Sequence, residues 1–219
     1  MIRTIISTVV FLTIVVFAKA QQKTDTINRF DSSGLKIGKW IGRFDETKHV
    51  AAIEYYVAGK KNGLCKYFTD DGYLEYEIEY LKDTINGLWK YYPNTGQKIV
   101  SEMRNGQREG MTRLYDYKGR LVEEYEYHSD IANGLFRSFH RSGRVAAKGQ
   151  YLNGKETGRR VVYNDKKKAA IVIEIDYTEG RRIERRFYKK RKLIKTEKFD
   201  AKDELMDEQK GGLHIYEVK

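Results

Sequence analysis

Glycines recur in this chain on a fixed ruler. Gly63, Gly87, Gly110, Gly134 and Gly158 fall 24, 23, 24 and 24 residues apart, and Gly72, Gly96, Gly119 and Gly143 each lie nine residues beyond one of the first four. Four residues before the ruler glycine stands Gly59, Asp83, Gly106, Asp130 or Gly154, and five after it an aromatic: Phe68, Tyr92, Tyr115, Phe139 or Tyr163. Agreement at four columns over five units makes this a repeat protein, with each unit about 24 residues long. A looser unit is centred on Gly38. The unit from Gly154 has Lys167 where its turn glycine belongs, so the array degrades at both ends, as terminal caps do.

A unit of this length is short for two helices, and its pattern has the period of a strand. After Gly72, Leu74, Tyr76, Ile78 and Tyr80 alternate with Glu75, Glu77 and Glu79, one apolar and one acidic face. The turns TDDG, PNTG, DYKG and HRSG suit a type I turn closed by a left-handed glycine. Each unit therefore reads as one β-hairpin, and the fold as an all-β, elongated antiparallel sheet of consecutive hairpins. At roughly 4.8 Å per strand, six units give a sheet on the order of 60 Å long. The register has two readings. If Phe68 faces Leu74, Leu64 joins the apolar face, but so do Lys66, Lys90, Arg113 and Arg137. Shifted by one residue, Cys65, Tyr67, Trp89 and Tyr91 turn inward instead.

The first residues, MIRTIISTVVFLTIVVFAKA, have a basic start, an apolar run and an A-x-A site before Gln21: a secretory signal peptide over 1–20. A polar leader follows over 21–33. No other run is apolar enough to span a bilayer, so the mature chain is expected in the periplasm, on the cell surface or outside the cell. Cys65 is the single cysteine, so no bridge forms within the chain. Its column holds Trp89, Thr112 and Phe136 in neighbouring units, which reads it as a small buried filler.

From Gly34 to Glu179 the hairpin pattern, typified by GKKNGLCKYFTDDGYLEYEIEYLK, resembles the variant MORN repeat of bacterial proteins, many labelled YwqK-type antitoxins. The resemblance implies a hairpin scaffold that binds proteins or lipid headgroups in some members and neutralises toxins in others. Fold alone does not carry function.

Composition shifts beyond the array. Residues 180–199 read as one more hairpin, strongly basic, with ten cations and two acids between Arg181 and Lys198, or +8 of the chain's formal +11. Arg181, Arg182, Arg185, Arg186, Lys189, Lys190, Arg191 and Lys192 are the candidate site for an anionic surface, lipid headgroups included. Solvated edge charges that block sheet pairing are the competing reading. Nucleic acid is the least favoured partner, since an exported protein rarely meets it. The tail over 200–219 starts acidic and ends in a strand-like run from Leu213 to Val218, either folded against the basic hairpin or extended away.

Chemistry-bearing motifs are missing. His49, His128, His140 and His214 share no spacing, and no H-E-x-x-H, C-x-x-C, G-x-S-x-G or Walker loop occurs, so no cofactor and no enzyme is expected. His128 and His140 read as solvated loop residues. The chain reads as a non-enzymatic, exported scaffold that binds a protein or an envelope component. Attachment to an anionic membrane through the basic hairpin, or inhibition of a partner toxin, are the alternatives.

Overall fold

The computed structural model describes residues 26–199; the expected signal peptide and the 200–219 tail lie outside them. Every regular element among the described residues is a strand: β1 (Arg29–Phe30), β2 (Lys36–Arg43), β3 (Val50–Val57), β4 (Lys60–Lys61), β5 (Gly63–Phe68), β6 (Leu74–Leu81), β7 (Thr84–Tyr91), β8 (Lys98–Arg104), β9 (Gln107–Tyr115), β10 (Leu121–His128), β11 (Ile131–Phe139), β12 (Val145–Leu152), β13 (Lys155–Tyr163), β14 (Ile171–Thr178), β15 (Arg181–Lys189) and β16 (Lys192–Lys198). They form one open antiparallel sheet in chain order, with the short β4 beside β3 and out of line. No second layer covers either face among the described residues. The array begins before the expected boundary, because β1 pairs with β2 inside what reads in sequence as a polar leader.

The two rows of turns differ. Along one edge Gly72, Gly96, Gly119 and Gly143 have φ between 75° and 84° and close type I turns, each donating its N–H to the carbonyl three residues back at 2.8–3.0 Å. We call this the bulge edge. Along the other, two-residue turns place both residues at positive φ, as at Lys82–Asp83 (50° and 69°) and Asn105–Gly106 (50° and 83°). These type I′ turns match the right-handed twist of the strands they join. Each is fastened to its neighbour: the Asp83, Gly106, Asp130, Gly154 and Gly180 N–H groups donate to carbonyls of the preceding hairpin at 2.8–3.1 Å.

The bulge settles the register. Phe68 does pair with Leu74, but the ladder slips by one residue there, so Tyr67 faces Tyr76, Cys65 faces Ile78 and Lys66 faces Glu77. Leu64 consequently joins Glu79 on the acidic face and is exposed, against the first reading. The aromatic face takes Cys65, Tyr67, Trp89 and Tyr91; the other, ionic face takes Lys66, Lys90, Arg113 and Arg137 opposite Glu77 and Glu124.

The packing repeats every second hairpin. Trp40, Trp89 and Phe136 each centre a group of three rings, and the intervening units carry Cys65 and Thr112 in that column. Trp89 lies across from the buried Ser101, and Phe136 across from Gly149. Large beside small is how a shallow, one-layer core reaches close packing.

Candidate functional site

On the ionic face a row of side chains crosses the strands at one level. Glu77 lies between Lys66 (2.8 Å) and Lys90 (2.9 Å) and accepts the Tyr92 hydroxyl at 3.0 Å. Hydrogen bonding from Lys66 above all, with Lys90 and Tyr92, holds its carboxyl down at about 2 against the opposing effect of burial. Glu124 lies likewise between Arg137 (2.5 Å) and Arg113 (3.7 Å), and Glu174 receives Tyr188 and Arg186 at 2.8 and 3.3 Å. These carboxylates neutralise cations of the adjacent strands. Glu75, Glu77 and Glu79, the one carboxylate run that resembles a hydrolytic set, stand on this open face, where Glu79 is bound to the Leu88 N–H.

The aromatic face carries three ring groups, Phe30, Trp40 and Tyr56; Tyr76, Trp89 and Tyr91; Tyr125, Phe136 and Tyr151, of which Phe30 is exposed, Tyr56 and Phe136 are buried, and the other six rings are half-buried. Tyr76 and Tyr91 stack at 4.9 Å, 18° from parallel. Arg160 stands in the ring column of the next unit, its guanidinium 5.0 Å from the Phe136 centroid and its Nε 2.6 Å from Glu156. Burial pushes the Glu156 carboxyl up.

The eight basic residues singled out from the sequence do not share one surface. Arg185, on the aromatic face, is bonded to Glu197, and Arg186, on the ionic face, meets Glu174, Asp176 and Glu184. Arg181 and Arg182 sit at the start of β15 by the tight Glu179–Gly180 turn, with Arg182 stacked 4.4 Å over Phe199. Lys189, Lys190, Arg191 and Lys192 gather at the opposite, bulge edge. There the loop over 164–170 brings up residues that the charge count over 181–198 misses. Lys166 and Lys168, with Lys190 and Arg191, line a recess of about 280 Å³ together with Asn164, Ile171 and Tyr188. The signal was in the ruler: Lys166, Lys167 and Lys168 precede Lys190, Arg191 and Lys192 by 24 residues each.

Each of the three described histidines makes one ring hydrogen bond, with His49 and His128 exposed to solvent as well and His140 half-buried. His128 Nδ1 lies 2.7 Å from Glu109, His140 Nε2 3.0 Å from the Tyr163 carbonyl, and His49 Nδ1 2.6 Å from the Asp70 carbonyl. No group of three or more His, Cys, Asp or Glu that could hold a metal ion occurs among the described residues.

No protein-family model matches the chain, and no curated protein matches it significantly. Among solved structures, a GtfA/B complex is similar at 21% identity over 37% of this chain and 19% of its own, with a TM-score of 0.18. TarM is similar at 12% identity over 66% of this chain and 21% of its own, at 0.19. A point mutant of S. aureus TarM in complex with Fondaparinux, alpha-GlcNAc-glycerol and UDP is similar at 11% identity with the same coverage and score. The chain thus spans about a fifth of these proteins' length, and none of their activities transfers to it.

Proposed function

We propose that this chain is a non-enzymatic MORN-like repeat scaffold, exported from the cytoplasm, that docks a protein of the cell envelope on its aromatic face. One observation carries the reading: three ring groups repeat every second hairpin along a face that no second layer covers among the described residues. Tyrosine and tryptophan supply contact area with a polar tip, the composition of interface anchors. Four strands separate successive groups, a spacing of roughly 19 Å, so one extended partner engages several at once. Attachment to an anionic membrane through residues 181–192 has less support, because Arg185 and Arg186 are already occupied by carboxylates of the same sheet.

The test uses photo-crosslinking residues in the native host. Substitution at Tyr76 or Tyr91 is expected to trap one discrete envelope protein, while Lys66 and Lys90, on the ionic face of the same strands, trap none. Equal trapping from both faces, or none from either, overturns the docking; recovery of the tagged chain from the cytoplasm overturns the export.

A further inference from the structure

We infer that the recess at the bulge edge, between the loop over 164–170 and the Lys190–Arg191 turn, is a binding site for a phosphorylated sugar unit. It lies at the sheet's edge and is independent of the aromatic-face reading.

The observations start with charge. Seven cations, Lys166, Lys167, Lys168, Lys189, Lys190, Arg191 and Lys192, come from two segments one repeat apart, and the hairpin geometry sets those segments side by side. None of the seven has an ion pair or a side-chain hydrogen bond among the described residues, in contrast to Arg185 and Arg186. The neighbouring carboxylates are taken. Asp165 accepts Ser142 at 2.5 Å and Arg144 at 3.0 Å in the preceding hairpin, and those bonds hold its carboxyl below the usual range. Glu174 accepts Tyr188 and Arg186. Like charges that face one another without a counter-charge raise the local potential and favour an anion between them.

Charge also drifts along this edge. Its successive turns carry Asp45 and Glu46 with Lys48, then Asp70 and Asp71, then the uncharged 92–97 turn, then Asp116 with Lys118 and Arg120, then Arg141 and Arg144, then Asp165 with the three lysines, so the net charge of the turns passes from negative to positive along the edge. The gradient draws an anion toward the β13–β16 end and repels it from the other.

The remaining lining defines the carrier of the anion. The recess, about 280 Å³, holds more than a free phosphate. Asn164 uses its Oδ1 to accept the Ala170 N–H at 3.1 Å, which leaves its NH₂ for a hydroxyl. Tyr188 directs its hydroxyl to Glu174 and lends the recess its ring. Cations for phosphate, an amide for a hydroxyl and an aromatic wall for a pyranose together match a sugar phosphate; Arg191 supplies a fork for two phosphate oxygens and the lysines supply point charges.

The probes are glucose 6-phosphate, glucose, inorganic phosphate and phosphatidylglycerol vesicles, applied to the full mature chain. We expect saturable binding of glucose 6-phosphate, with shifts of the Asn164 side-chain amide and the Arg191 guanidinium in NMR spectra, and no binding of glucose. Lys168→Gln and Arg191→Gln should each weaken it about tenfold. Lys60→Gln, on the tight edge, should leave it unchanged, with thermal melts certifying that all three variants fold. Inorganic phosphate bound as tightly as the sugar phosphate reduces the site to a general anion trap and overturns the proposal. So does vesicle binding without binding of the soluble sugar phosphate, which assigns the corner to a membrane, and so does silence from every probe.

Discussion

Glu79 lies over Gly87. The Glu79 Oε2 accepts the Leu88 N–H at 3.0 Å, and a β-carbon on Gly87 would collide with that oxygen and come within 2.9 Å of the Glu79 Cβ. Glu102 over Gly110 and Glu126 over Gly134 repeat the arrangement, accepting the Met111 and Leu135 N–H groups at 3.1 and 3.0 Å. In each case the ladder slips by two residues beside the glycine, four residues of the glycine's strand passing two of its partner, and the carboxylate satisfies an N–H next to the irregularity. Glycine is therefore required twice at Gly87, Gly110 and Gly134, by φ values of 111–129° and by the side chain above each.

Gly87→Ala should destabilise the sheet by about 1–3 kcal/mol, the cost of a strained φ plus displacement of the carboxylate. Glu79→Ala should cost about 1–2 kcal/mol by removing a charged acceptor. The two are expected to be less than additive, since without Glu79 the new methyl has room. Urea unfolding of both single variants and the double variant measures this; strict additivity would mean that the carboxylate and the glycine are unrelated.

The Glu77 carboxylate, flanked by Lys66 and Lys90, makes stability depend on acid. Its folded value near 2 lies below its ordinary 4.5, so its contribution is complete above about pH 4.5 and is lost as pH falls toward 2. The shift corresponds to up to about 3 kcal/mol. Glu77→Gln should lower stability at pH 7 and flatten the acid limb of the stability–pH curve, leaving the two proteins nearly equal near pH 2. Parallel curves down to that pH would exclude this carboxylate as the source.

The hairpins, their turns and the acidic alternation of β6 were legible in the sequence, because glycine at positive φ and a period of two are local properties. The register was not, since the bulge at Tyr67–Phe68 lets Phe68 face Leu74 while its predecessors face the other way. Nor was the charge of β15. Arg186 is neutralised by Glu174 and Asp176 from the preceding strand, whereas a running sum over 181–198 sees only Glu184 and Glu197. The two-hairpin period was present but unread: Gly59, Asp83, Gly106, Asp130 and Gly154 alternate, and the two aspartates mark the hairpins of Trp89 and Phe136.

Cys65 is fully buried, and burial pushes its thiol up, so it should be inert in the folded protein. We expect labelling by a thiol reagent at pH 8 to be at least about a hundredfold slower than in urea, because only opening of the sheet exposes the sulfur. Fast native labelling would contradict the burial. Cys65→Trp, which puts a neighbouring unit's ring in this slot, should cost about 1–3 kcal/mol through overpacking.

If two hairpins are the true unit, deletions should respect it. Removing residues 83–129 joins Lys82 to Asp130, which restores a Lys–Asp turn, places Phe136 where Trp89 stood and sets Arg137 beside Glu77. The aspartate matters because Asp83 Oδ1 accepts the Lys61 N–H at 2.6 Å, as Asp130 Oδ1 does for Arg108 at 3.0 Å. Removing 83–105 instead joins Lys82 to Gly106. The acceptor is lost, and Thr112 faces Ile78 and Tyr76 where a ring belongs. In a one-dimensional array, stability follows the interfaces between neighbours. The 47-residue deletion should therefore melt above the 23-residue one although it removes twice as much chain. Calorimetry of the two shortened chains beside the parent decides it, and a loss of stability proportional to the length removed would return the unit to a single hairpin.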